Sequence, residues 1–286
     1  MKITEGCFEA TGHTSIICDF SPPRSGDPVA VEQAQIDADF ISVAYNPGRA
    51  VRTNSAMLAA AIQRSGKDAV FTLATRDMNK LALQSELLGA QMLGLRNVVV
   101  VQGDPFGQQD QARVASVNDY HPTGLIAAIA QMNRGVDFRE DRLRSPIDFC
   151  IGATIDLSRG IEEEAQLAVR KVQAGAEYLI TQPVFNVDHV AQYRESYAYH
   201  SGKAGTLPIY FGLQILEKDG VLFSSVPESV RGELEEGRSG ADIALELYQK
   251  FQEARLNNIY LIPPIKHGGA RNYEAAKAFL GKINKR

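Results

Sequence analysis

Cysteine is scarce in this 286-residue chain: Cys7, Cys18 and Cys150 are an odd number, and two of them sit inside apolar runs. That argues against a disulfide scaffold and suits a reducing, cytoplasmic setting. The five histidines, His13, His121, His189, His200 and His267, show no H-x-x-x-H spacing and the cysteines no C-x-x-C, so no dedicated metal site is expected. Long apolar stretches are missing as well. Nowhere do about 18 apolar residues run together, and the first residues lack a long apolar run behind a basic start, so neither a membrane span nor an export signal is expected. Excess positive charge is also absent. With 30 Lys+Arg against 34 Asp+Glu the formal net charge is −4, which leaves no basic field for counterion release and makes nucleic acid an unexpected partner. Any anionic ligand has to be held by local groups.

What the chain does have is alternation. Short apolar runs rich in β-branched residues cover 15–20, 40–45, 69–74, 97–101, 149–155, 178–182, 208–215 and 258–262. Segments of helical period lie between and after them, at 54–64, 79–93, 123–133, 161–174, 187–200, 240–254 and 273–280. Repeated βα units of this kind build a parallel sheet with covering helices. The best-marked helix is 161–174, where Ile161, Ala165, Ala168, Val169 and Val172 recur at helical spacing, Glu162–Glu164 suit the N-terminal dipole and Gly175 stops the helix. The first crossover, within 27–38, leaves room only for a short helix. A doubly wound open sheet competes with a closed barrel, but no G-x-G-x-x-G follows the first strand and the count of eight units suits closure. The expected architecture is a single (β/α)8-barrel catalytic domain over 1–286, with no linker, repeat or low-complexity stretch.

In such a barrel the residues at the C-terminal strand ends build the working site. Asp19 ends the first strand, flanked by Cys18 and Phe20. A carboxyl so poorly solvated is a candidate general acid, or it caps the Pro22–Pro23 turn or pairs with Arg24. After strand four come Gln102, Gly103 and Asp104. Gly103 allows close approach to a ligand while Asp104 faces a cationic or hydrogen-bonding group, or the three form a plain turn. Gln182 ends strand six and offers donor and acceptor together for reading a heterocycle edge, or it is a satisfied core amide. In the loop after strand three, Thr75, Asp77 or Asn79 caps the next helix, Asp77 most simply as a cap, while Arg76 reaches inward for an anion. The His267-Gly268-Gly269 loop beside Lys266 is either a phosphate-holding loop or a solvent turn.

Taken in order, Asp19-Phe20-Ser21-Pro22-Pro23-Arg24, Phe40-Ile41-Ser42-Val43-Ala44-Tyr45, Gln102-Gly103-Asp104-Pro105 and Lys171 through Thr181-Gln182-Pro183-Val184-Phe185 resemble the methylenetetrahydrofolate reductase family. The stretch Thr75-Arg76-Asp77-Met78-Asn79 to Leu87-Leu88-Gly89 is similar to the reductase half of fusions with a homocysteine methyltransferase. The resemblance implies FAD across the barrel mouth, NADH or NADPH as hydride donor, and 5,10-methylenetetrahydrofolate as substrate, giving 5-methyltetrahydrofolate in one-carbon metabolism. It implies Asp19 as the acid, where the family usually has glutamate, and Asp104, Gln182, Phe223 and Arg271 as folate contacts. On the cofactor side it implies Ala44, Tyr45, Thr72, Gln102, Gly103, Asp104, Thr154, Glu164, Arg170 and Lys171. Here the chain departs from the family: Thr72 stands for a histidine, Gln102 for an arginine, Ala44 for a threonine and Leu167 for an asparagine. Every charge-assisted hydrogen bond missing at the flavin diphosphate costs about 1–3 kcal/mol, so a weakened hold on flavin is expected. The alternative is a folate-binding accessory barrel that works with a partner methyltransferase; a homo-oligomer is also consistent with the resemblance. A lyase or aldolase using Lys266 is a third reading.

Overall fold

Strands made of β-branched and other apolar residues throughout are buried on both faces, which a parallel sheet achieves by laying its crossover helices against itself. The computed structural model describes residues 1–5, 14–202, 207–222 and 226–283. Its strands are β1 (Ser15–Phe20), β2 (Phe40–Val43), β3 (Asp68–Ala74), β4 (Asn97–Val101), β5 (Cys150–Ile155), β6 (Tyr178–Pro183), β7 (Ile209–Gln214) and β8 (Asn258–Ile262). All pair in parallel with the next, and β8 pairs back on β1, so the sheet closes into the expected (β/α)8 barrel.

The helices are α1 (Ser55–Arg64), α2 (Lys80–Met92), α3 (Gln108–Gln111), α4 (Pro122–Asn133), α5 (Ile161–Ala174), α6 (Asp188–Ser201), α7 (Glu228–Glu235), α8 (Gly240–Glu253) and α9 (Tyr273–Ile283). Side-chain caps start several of them. Asn54 Oδ1 accepts from Met57 N at 3.0 Å and Asn79 Oδ1 from Ala82 N at 2.9 Å. Asn79 is therefore the cap of α2, a correction to the expectation that Asp77 fills that role. The first crossover carries only a 3₁₀ helix, Pro28–Ala34, capped by Asp27. β2 stops at Val43, short of the expected 45, because Asn46 in the left-handed region and Pro47 turn the chain. Neither α3 nor α7 was expected: α3 has no buried residue and α7 only Leu234, too few to write an apolar period.

Alternation along the strands separates two cores. Ile17, Phe40, Val70, Val99, Cys150, Tyr178 and Tyr210 fill the barrel, whereas Cys18, Ile41, Phe71, Phe149 and Phe211 join the larger core beneath the helices. Fully burying each of the Ile, Val and Phe side chains among them is worth about 1.5–3 kcal/mol. Gly152 makes room for Tyr178, whose ring would lie 2.3 Å from any Cβ there. The far end of the barrel is plugged by Ile3, fully buried, whose N–H donates to Asn97 Oδ1 at 2.9 Å. With its floor closed in this way, the barrel has its C-terminal mouth as the end built from loops. Cys18 and Cys150 are buried free thiols, and Cys7 lies outside the described residues. Among the described residues no helix is long and apolar enough to cross a membrane, and no group of three His, Cys, Asp or Glu is placed to hold a metal.

Candidate active site

Asp19 takes the last inward position of β1, 4% exposed. It is paired neither with the Pro22–Pro23 turn nor with Arg24. The Tyr260 hydroxyl, from β8, donates to Asp19 Oδ1 at 2.9 Å, and Arg271 Nε donates to Oδ2 at 2.7 Å. Both members of the ion pair are buried, at 8% and 6% side-chain exposure. Burial works against the charge on Arg271, but Asp19 outweighs it and holds the guanidinium above its ordinary pKa. Burial, then the Asp19 charge, push the Tyr260 phenol well up, so it stays a donor. The arrangement fixes one carboxyl at the mouth with a defined orientation for each oxygen.

The loops around that pair are laced by a second arginine. Arg52 donates to Pro47 O at 3.1 Å, to Pro22 O at 2.8 Å and to Gly268 O, joining the loops after β1, β2 and β8. Ser21 Oγ and Arg271 Nη1 both donate to Gly269 O, at 2.7 and 2.9 Å. The glycine loop therefore turns its carbonyls to guanidinium and hydroxyl groups, and the Gly269 N–H bonds back to Lys266 O at 2.9 Å. This corrects the phosphate-loop reading, which needs N–H groups facing outward; Lys266 is exposed. Burial, then the charges of Arg271 and Arg24, depress the Arg52 pKa. Three guanidiniums thus share this side of the mouth with the one buried carboxylate. A chain of net charge −4 needs such a local field to hold an anion.

Further round the rim, beyond the β2 loop, Arg76 follows β3 and is 4% exposed. Its fork grips Asp77 at 2.5 and 2.8 Å, its Nη1 donates to Asp104 O at 2.5 Å, and it lies 4.1 Å over the Phe106 ring. Burial, then the Asp77 charge, raise the Tyr45 phenol pKa. Gly103 has φ +85°, and a Cβ there would sit 3.3 Å from Arg76 Cβ and 3.4 Å from Ala74 Cβ, so only glycine lets the β4 loop pass this close. Gln102 and Asp104 are exposed beside it, and Thr72 is buried in the barrel below. A cavity of about 350 Å³ lies here, lined by Asn46, Arg49, Arg76, Asp77 and Phe106 among others, at the small end of ligand pockets.

The remaining candidates sit on β5, α5 and β6. Lys171 Nζ donates to Thr154 O at 2.5 Å, and Glu164 Oε2 accepts from Asp156 N at 3.0 Å. Burial lowers the Lys171 pKa, with the nearby Glu164 charge opposing it. Arg170 is exposed. At the end of β6 the register slips, and the Thr181 hydroxyl takes the place of a ladder carbonyl, accepting from Gly212 N at 2.8 Å. That irregularity leaves Gln182 exposed at the rim. Phe223 falls outside the described residues. Two residues beyond the sequence reading lie at the mouth: Tyr260, which holds Asp19, and Gln214, the last residue of β7. A glutamine closing an apolar strand was the available signal for Gln214; Tyr260 had none, being one aromatic among apolar neighbours.

A solved structure of an uncharacterized protein from Clostridium thermocellum, described as binding two copies of 5-methyl-5,6,7,8-tetrahydrofolic acid, is similar to this chain. Its TM-score is 0.64 at 15% identity, covering 97% of this chain and 98% of that one. A dihydropteroate synthase from Thermus thermophilus aligns with a TM-score of 0.48 and 12% identity, over 96% and 93% of the two chains. The profile of the family described as methylenetetrahydrofolate reductase matches residues 7–239, most of the chain. The chain belongs to the methylenetetrahydrofolate reductase family.

Proposed function

We propose that the protein reduces 5,10-methylenetetrahydrofolate to 5-methyltetrahydrofolate with hydride from NADH or NADPH. The observation that carries this reading is the buried Asp19 carboxyl, clamped by Tyr260 and Arg271 at the mouth of a barrel of this family. The net reaction adds one hydride and one proton. Asp19 gives the proton to the folate nitrogen that leaves as the five-membered ring opens. The opened ring carries an iminium cation, and Asp104, exposed on the β4 loop, supplies negative charge facing it. Gln182 reads the pterin edge, and Phe223 stacks on the substrate rings. Proton donation needs the neutral form of Asp19, which has no charge to offer Arg271. A folate tail carboxylate that draws Arg271 away therefore frees Asp19 for its role, and Arg52 and Arg24 favour that anion on the same side of the mouth.

A flavin, when bound, supplies the two-electron relay between nicotinamide and folate. The donor set fits it in part: Gly103 gives close backbone approach, Gln102 and Thr154 offer polar contacts, and Arg170 and Lys171 offer charge, beside Ala44, Tyr45, Thr72 and Glu164. Lys171 is already turned to Thr154 O, and Gln102 brings no charge. Those two features favour, as a second reading, a folate-binding barrel that serves a partner methyltransferase. The visible spectrum of the purified protein, followed by anaerobic addition of NADH and methylenetetrahydrofolate, separates the readings. Flavin bleaching and methyltetrahydrofolate formation support the reductase. Folate binding without turnover, restored by a partner, supports the second.

A further inference from the structure

Gln214 is the last residue of β7 and is 2% exposed, yet its Oε1 has no hydrogen-bond partner. Alternation places it inside the barrel: Tyr210 belongs to the interior cluster, while Phe211 and Leu213 pack outward under the helices. Register places it beside the acid. Gln214 pairs with Ile262 of β8, and Cys18 of β1 pairs with Leu261 on the other side of the same strand. Asp19, one residue on from Cys18, therefore stands in register with Ile262, so Gln214 and Asp19 flank β8 at the same register position. Two strand spacings separate them, on the order of 10 Å, a distance a fused two-ring heterocycle spans. A buried amide oxygen without a donor is a standing cost to the fold, one that a donor from outside the chain would relieve.

We infer that Gln214 is a specificity-determining residue of the folate pocket, its carbonyl accepting an N–H from the amino-pyrimidine edge of the pterin while Asp19 meets the nitrogen end. This rests on the proposed function and sharpens it. It also predicts an opposition between binding and stability that a packing role would not produce. Removing the orphan carbonyl relieves the ligand-free fold but leaves the bound heterocycle with an unpaired donor. Calorimetric titration with 5-methyltetrahydrofolate of wild type and Gln214→Leu, with thermal melting of both, tests it. The expected result is affinity weakened about tenfold or more, a melting temperature equal to or above wild type, and unchanged flavin uptake. If the leucine variant does not fold, Gln214→Met keeps the unbranched shape and gives the same reading. Affinity within twofold of wild type overturns the assignment, and so does a fall in affinity together with a fall in melting temperature. Folate binding that survives the substitution overturns this assignment alone. Absence of folate binding by the wild type overturns the proposed function with it.

Discussion

Replacing Asp19 by asparagine should destabilise the fold through Arg271. The two groups meet at 2.7 Å with 6% and 8% side-chain exposure. At an effective dielectric near 20, a pair of unit charges about 4 Å apart is worth about 4 kcal/mol, and the desolvation of both groups offsets much of that. What remains large is the cost of keeping one charge buried without the other, about 3–5 kcal/mol. Asparagine keeps an acceptor for the Tyr260 hydroxyl, which puts the expected loss near the lower end, about 3 kcal/mol. The variant should still fold, since domains carry about 5–15 kcal/mol of stability. Urea unfolding of wild type, Asp19→Asn, Arg271→Met and the double variant closes the cycle. The double variant should recover most of the loss, with a coupling of about 2 kcal/mol or more. A coupling below about 0.5 kcal/mol would refute the claim that this is a buried, mutually compensating pair.

Two further outcomes follow from packing and titration. Gly152→Ala pushes a methyl group to 2.3 Å from the Tyr178 ring and should cost about 1–3 kcal/mol in urea unfolding, partly recovered when Tyr178 is also cut to valine. Burial raises the Glu177 pKa above the usual 4.5. The folded chain then holds the proton when the unfolded chain has released it, so this contribution to stability is complete below pH 4.5 and is lost as pH rises through the folded value. Glu177→Gln should flatten that part of the stability-against-pH curve; an unchanged slope would remove Glu177 as its source.

The barrel was legible because its rules are local. β-branched runs, asparagine caps, the acidic first turn of α5 and Gly175 all state their role within a few residues. The strand-end positions of Asp19, Asp104 and Gln182 followed from the same periodicity. What the sequence left open is which partner each side chain takes. Arg271 lies 252 residues from Asp19, and no spacing rule joins them, whereas Arg24, nearer in sequence, does not pair with Asp19. Asp77 was readable as a cap, but the Arg76 fork beside it is the stronger claimant on its charge. The glycine loop after β8 looked like an anion nest, yet Arg52 claims the Gly268 carbonyl from a distant segment and Arg271, two residues on, claims that of Gly269.

The role proposed for Asp19 is proton donation in folate reduction. The measurement that tests it most directly follows the two half-reactions separately, in flavin-loaded wild type and Asp19→Asn under anaerobic stopped flow. Wild type should be bleached by NADH and reoxidised by methylenetetrahydrofolate with formation of 5-methyltetrahydrofolate. Asp19→Asn should be bleached at a similar rate and fail at the second step. Equal loss of both steps in the variant, or reoxidation by folate undiminished without Asp19, would remove Asp19 as the proton donor.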